Sequence, residues 1–226
     1  MPNLVIKSFI LLLFSSSCLA EWYQDKQGIM GTNIQAEIWA DSPQLGQEAT
    51  QAVMAEMERI NQLMSPYIAE SELSLLNQGA ADSAIKVSKE LFELIALSLE
   101  LSKETGGAFD ITFASVGYLY DYQDKQKPSE QEISHLLDAI DYRHVVLDKS
   151  EFSIYFANKN VRIDLGGIAK GHAVDNAINI LRDMGIEHAL VTAGGDTGLL
   201  GDRRGKPWMV GIRDPRNRQK QAVVLP

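Results

Sequence analysis

Segments whose apolar residues recur at every second position alternate irregularly with segments of helical spacing, and this order constrains the fold of the chain more than any other feature. Residues 28–40 place Thr32, Ile34, Ala36, Ile38 and Ala40 on one side and Gln35 and Glu37 on the other, the period of a half-buried strand. Ser42 and Pro43 then offer an N-cap and a first helical residue. Leu45, Ala49, Val53, Met57, Ile60 and Met64 follow at helical spacing, which reads the methionines as core. A turn at Ser65-Pro66 leads to a short capped helix over residues 71–77, and a long helix is expected from Ser88 to the glycine stop at Gly106. Ser129 and Glu132 form a capping-box pair that starts a third helix, continuing through Ile140.

Strand-like segments then crowd together at residues 144–147, 153–157 and 161–165, and a helix over 167–184 ends at Gly185. Further strands are expected at 189–192, 208–212 and 222–225. Strand, helices, a run of strands, helix and strands again is not the βαβ pattern of a doubly wound sheet. It predicts an α+β fold with a mixed or antiparallel sheet and flanking helices. The last strand runs to the end of the sequence, which leaves the expected fold incomplete there.

The first twenty residues read as a leader. Lys7 precedes an apolar run over residues 9–14, followed by small residues and Cys18-Leu19-Ala20. Cleavage after Ala20 would release a cysteine-free chain into an oxidising compartment, with one folded domain over residues 21–226. Ser15-Ser16-Ser17-Cys18 also loosely resembles a lipobox, so lipidation of Cys18 stays open beside soluble release to the periplasm or the outer face of a membrane. The formal net charge of -9 argues against nucleic acid as a partner. Arg203, Arg204, Lys206, Arg213, Arg216 and Arg218 are interrupted by Asp202 and Asp214 and read as a solvated loop.

Three glycine-bearing turns hold the candidate chemistry. In residues 161–171 a strand delivers Asp164, Gly166 and Gly167 allow close backbone approach, and a helix begins with Lys170 on its first turn. Such a helix start offers unpaired N–H groups and the positive end of a dipole to a phosphate. The spacing is neither a P-loop nor a dinucleotide Gly-x-Gly-x-x-Gly. Gly106-Gly107-Ala108-Phe109-Asp110 is the second turn and Gly194-Gly195-Asp196 the third; each alone also reads as a helix stop or a tight hairpin. The histidines at 135, 144, 172 and 188 have no paired-ligand spacing, so a hard ion such as Mg²⁺ suits the acidic residues better than zinc.

Read in order, these segments resemble the FAD:protein FMN transferase (ApbE) family. The match runs through Met30-Gly31-Thr32, Ser65-Pro66-Tyr67, Ser71-Glu72-Leu73 with Leu76-Asn77, and Gly107-Ala108-Phe109-Asp110. It continues through Ile163-Asp164-Leu165-Gly166-Gly167-Ile168-Ala169-Lys170-Gly171 to Ala173-Val174-Asp175, then Gly194-Gly195-Asp196 and residues 208–215. The resemblance implies that Met30, Tyr67, Ala108, Phe109, Asp110, Asp164 and Lys170 contact FAD as substrate, and that Gly167 gives a main-chain oxygen to Mg²⁺. It implies transfer of FMN from FAD to a Thr or Ser hydroxyl of an acceptor flavoprotein subunit in a membrane electron-transfer complex, releasing AMP. His172 stands where the family usually has a Tyr. The family's remaining segments, with its catalytic histidine and side-chain metal ligands, are expected beyond Pro226, so no catalytic residue is assigned. An FAD pyrophosphatase and a non-catalytic FAD-binding module are the two alternative readings.

Overall fold

A computed structural model describes residues 20–121, 124–213, 216 and 221–225. Strands β1 (Glu21–Ile29) and β2 (Thr32–Ala40) form an antiparallel hairpin, followed by helices α1 (Pro43–Met64) and α2 (Glu72–Gly79). Strand β3 (Ile85–Lys86) precedes helix α3 (Lys89–Glu104), a 3₁₀ turn at Ile111–Phe113, and the short helices α4 (Ala114–Gly117) and α5 (Glu130–Leu136). Strands β4 (Val145–Asp148) and β5 (Ser153–Phe156) lead to helix α6 (Ala169–Asp183). Strands β6 (Ala189–Ala193), β7 (Asp196–Leu200), β8 (Val210–Arg213) and β9 (Gln221–Leu225) follow.

All pairings between these strands are antiparallel. They make a four-stranded sheet in the order β1-β2-β6-β7, a smaller sheet β3-β5-β4, and the pair β8-β9. Helix α1 packs on β1 and β2, α6 packs on β6 and β7, and the two helices touch each other. Between helices and sheet lies a core in which Ile34, Ile38, Val53, Met57, Ile60, Ala173, Ala177, Leu181 and Val191 are fully buried. This is the α+β arrangement expected from the order of periodic segments.

Local signals account for most helix ends. The Ser42 hydroxyl accepts the Leu45 N–H, Pro43 is the first helical residue of α1, and the Ser129–Glu132 capping box forms at α5. Two strand expectations and one helix start need correction. Residues 28–40 are not one strand: Gly28 and Ile29 end β1, and Met30 and Gly31 form the hairpin turn. The β1 sequence EWYQDKQGI carries too mixed a polar pattern to announce itself. Residues 161–165 are extended but join no sheet, because side chains occupy their backbone groups. The helix after Gly167 starts two residues later, at Ala169.

At the C-terminal end, β9 pairs with β8, so the last strand has a neighbour. The leader, with Cys18, lies outside the described residues apart from Ala20. Among the described residues, no helix is long and apolar enough to cross a membrane. The loop arginines are more engaged than a solvated loop would make them. Arg203 pairs with Glu37 and lies over the rings of Trp22 and Trp208, and Arg204 lies over Trp39.

Candidate functional site

The site is built from three turns that the sheet and helices bring to one edge. The first is the β1–β2 connection, where Met30 (φ 55°) and Gly31 (φ 67°) both take left-handed backbone, as a two-residue hairpin of the primed class requires. Glycine accepts that conformation freely; methionine holds it at a cost of about 1 kcal/mol. The second turn follows α1. The Ser65 hydroxyl accepts the Tyr67 N–H, and Ser71, the N-cap of α2, donates its hydroxyl to the Ser65 carbonyl at 2.7 Å. This bracing presents Tyr67 with 93% of its surface exposed.

The third turn is 161–171. Val161, Ile163 and Leu165 are buried in the core, which turns Arg162 and Asp164 outward. The Asp164 carboxylate accepts the Gly166 N–H, and the Lys170 ammonium donates to the Gly166 carbonyl. Helix α6 begins here without a side-chain cap hydrogen bond. The Ala169 N–H turns back to the Leu165 carbonyl at 2.7 Å, and the helix start carries the partial positive charge of its dipole.

Met30, Gly31, Tyr67, Asp164, Gly166 and Lys170 together line a cleft of about 570 Å³, walled by Glu58, Asn61 and Met64 of α1. A second cleft of about 490 Å³ adjoins it, sharing Pro66, Tyr67 and Asp164. Its outer wall carries Phe113, Tyr118 and Arg162, whose guanidinium lies 4.2 Å from the Tyr118 ring centroid. Tyr67 and Asp164 thus stand on the ridge between two polar and aromatic clefts.

The other candidates sit apart from this cleft. Phe109 is half-buried against the core and close to Gly167, where a Cβ would lie 3.3 Å from its ring. Ala108 is exposed on the same turn. The Asp110 carboxylate accepts the Thr112 N–H and hydroxyl at 2.8 and 2.6 Å and the Tyr142 N–H at 2.9 Å, so much of its bonding capacity holds the local fold. Gly167 is exposed and lines a shallower cleft of about 240 Å³ with His172, Asp175 and Asp196. Gly194 and Gly195 make the β6–β7 hairpin turn and hold Asp196 at its rim.

Among the described residues, no group of three His, Cys, Asp or Glu side chains is gathered that could hold a metal. The Gly167 carbonyl is a hard oxygen of the right chemistry for Mg²⁺, which takes oxygen ligands, but one such ligand does not make a site.

A polar network that no local pattern announces joins helices α1, α3 and α6. Arg59 of α1 donates to both Glu56 and Glu90; His172 and Asn176 of α6 meet Glu90 at 2.8 and 3.1 Å, and Asn176 also reaches Glu56. The Arg59 guanidinium, helped by His172 and Asn176, pulls the Glu90 carboxyl down to about 2, and burial opposes the shift. Arg59 and Glu56 lie three apart on one helix and could have been paired from spacing; their link to Glu90 could not. Phe113, Tyr118 and Arg162 were not singled out either, although Arg162 lies within residues 161–171 and Phe113 three residues past Asp110.

The model of the ApbE family matches residues 30–226, which include all three turns. The chain belongs to the ApbE family. Among curated ApbE relatives, the FAD:protein FMN transferase of Haemophilus influenzae is 29% identical over 179 residues, covering 76% of this chain and 52% of that protein. The FAD:protein FMN transferase of Escherichia coli K12 is 26% identical, covering 86% of this chain and 58% of its own length. Solved ApbE structures share the fold. The ApbE protein of Thermotoga maritima superimposes with a TM-score of 0.82 at 29% identity, covering 90% of this chain and 67% of that one. The flavin transferase ApbE from Vibrio cholerae gives 0.78 at 25% identity, with 87% and 65% covered. The chain therefore spans between half and three fifths of the length of those two curated relatives.

Proposed function

We propose that this chain binds FAD in the cleft between Met30, Tyr67, Asp164 and Lys170 and serves as the flavin-binding part of an FAD:protein FMN transferase. The gathering of those four residues at the uncapped start of α6 is the observation that carries the reading. Tyr67 offers an open aromatic face to a ring system, and Asp164 an acceptor for ribityl or ribose hydroxyls. Lys170 and the α6 dipole place positive charge where a diphosphate would lie. Phe109 beside Gly167, with Ala108 and Asp110 on the same turn, extends the proposed contact surface.

In the proposed reaction a Thr or Ser hydroxyl of an acceptor flavoprotein attacks the FMN-side phosphorus of FAD. The new P–O bond forms as the bond to AMP breaks; the hydroxyl proton is lost and AMP leaves. Catalysis of this kind depends on alignment and charge stabilisation more than on covalent participation by the enzyme. Mg²⁺, with the Gly167 carbonyl among its ligands, would offset diphosphate charge. The relatives' name implies a protein acceptor, and we place it in an electron-transfer complex of a membrane facing the compartment to which residues 1–20 direct the chain. Processing after Ala20 and lipidation of Cys18 are separated by the intact mass of the mature protein.

Incubation of the chain with FAD, Mg²⁺ and a flavin-free acceptor domain tests the transfer. A mass gain on the acceptor of one FMN less water supports it. FMN and AMP released without an adduct would mark a pyrophosphatase, and bound FAD without turnover a binding module.

A further inference from the structure

Asp164 is delivered by a segment with no strand beside it. Residues 161–165 alternate inward and outward as a strand does, yet side chains make the hydrogen bonds of two central links, Arg162 and Ile163. The Asn77 carboxamide, from the last turn of α2, makes both bonds of Ile163: its Nδ2 donates to the Ile163 carbonyl and its Oδ1 accepts the Ile163 N–H, each at 2.9 Å. That two-way exchange is what the backbone of a neighbouring antiparallel residue would supply. Ser115 repeats it in part by accepting the Arg162 N–H at 3.0 Å, and the Asp164 N–H reaches the Ile111 carbonyl at 3.0 Å.

From this geometry we infer that Asn77 is a positioning residue for flavin-nucleotide binding, which it serves by fixing the height at which Asp164 projects onto the ridge between the two clefts. The inference rests on the FAD-binding reading above. Ile163 is 1% exposed, so its N–H and carbonyl have no water to turn to when the carboxamide is removed. The segment must then shift to find partners, and Asp164 shifts with it. Helix α2 is held at both ends of the site: Ser71 bonds the Ser65 turn that carries Tyr67, Leu76 is fully buried, and Asn77 bonds the segment that carries Asp164. Both residues of the ridge are thereby set by one rigid helix. The carboxamide itself is spent on Ile163, so Asn77 acts on the nucleotide through Asp164.

A double-mutant cycle on the 226-residue chain tests this, with FAD affinity read from flavin fluorescence and folding from circular dichroism. We expect Asn77→Leu to weaken FAD binding about tenfold in the wild-type background, and far less in an Asp164→Ala background. Asn77→Gln, which keeps the donor and acceptor on a longer arm, falls between wild type and Asn77→Leu. Unchanged affinity, or the same loss in both backgrounds, overturns the inference. Should Asn77→Leu fail to fold, the cycle is run with Asn77→Gln under the same criteria. If the wild-type chain binds no FAD, the flavin-binding reading fails separately. Amide exchange then decides the role of Asn77: faster exchange at Ile163 and Asp164 in Asn77→Gln with α1 unchanged upholds it, and unchanged exchange at both refutes it.

Discussion

At the scale of single residues, the site combines exposure with constraint. Tyr67 is almost wholly exposed and touches little of the core, so Tyr67→Ala should leave thermal stability unchanged while weakening FAD binding by about 0.5–1.5 kcal/mol, the worth of one ring contact. Parallel melting curves and fluorescence titrations check it; a lowered melting temperature with intact binding would contradict that division of roles. Gly194 behaves oppositely. Its φ of 66° and the Thr32 hydroxyl, 2.6 Å from where a Cβ would stand, leave no room for a side chain at the turn that ends β6. Gly194→Ala is expected to lower unfolding free energy by about 1–3 kcal/mol, read by urea denaturation. The sequence marked both residues through local chemistry, an aromatic after Ser-Pro and a Gly-Gly turn. It could not show the close approach of Thr32, which lies on another strand.

Among the elements, legibility followed the range of the interaction. The start of α1 was readable because Ser42 and Pro43 act on their immediate neighbours. Residues 161–165 showed their extended form through alternation, but their partners are Asn77 and Ser115, 86 and 47 residues away. No periodicity encodes a side chain standing in for a strand. The same holds for the contact of α1, α3 and α6 through Arg59, Glu90, His172 and Asn176. This network carries a pH dependence whose sign follows from Glu90. Its carboxyl is lowered in the folded chain from 4.5 to about 2, first by the hydrogen bond from Arg59. A lowered carboxyl stabilises the fold above its unfolded value, and that contribution fades as pH falls from about 4.5 towards 2. The stability advantage of wild type over Glu90→Gln should therefore be present at about pH 6 and shrink towards about pH 2, measured by urea unfolding across that range. Glu90 is only partly buried, so solvent screening keeps the effect modest. An advantage that is constant with pH would remove Glu90 from the network's stabilising role.

For the whole molecule, the α+β architecture was legible from element order, and the family from ordered motifs spread over most of the chain. The division of the site into two adjoining clefts was not, because it depends on how α2 and residues 161–165 meet. Membership in the ApbE family and the arrangement of Met30, Tyr67, Asp164 and Lys170 lead to one central claim, that this chain captures FAD in that cleft. The most direct test is a fluorescence titration of the purified 226-residue chain with FAD, run beside Asp164→Ala and Lys170→Ala. Saturable binding by the wild type is expected, with a loss of about tenfold or more in each variant and folding retained. No saturable binding by a folded wild-type chain, or equal binding by all three proteins, would contradict that claim.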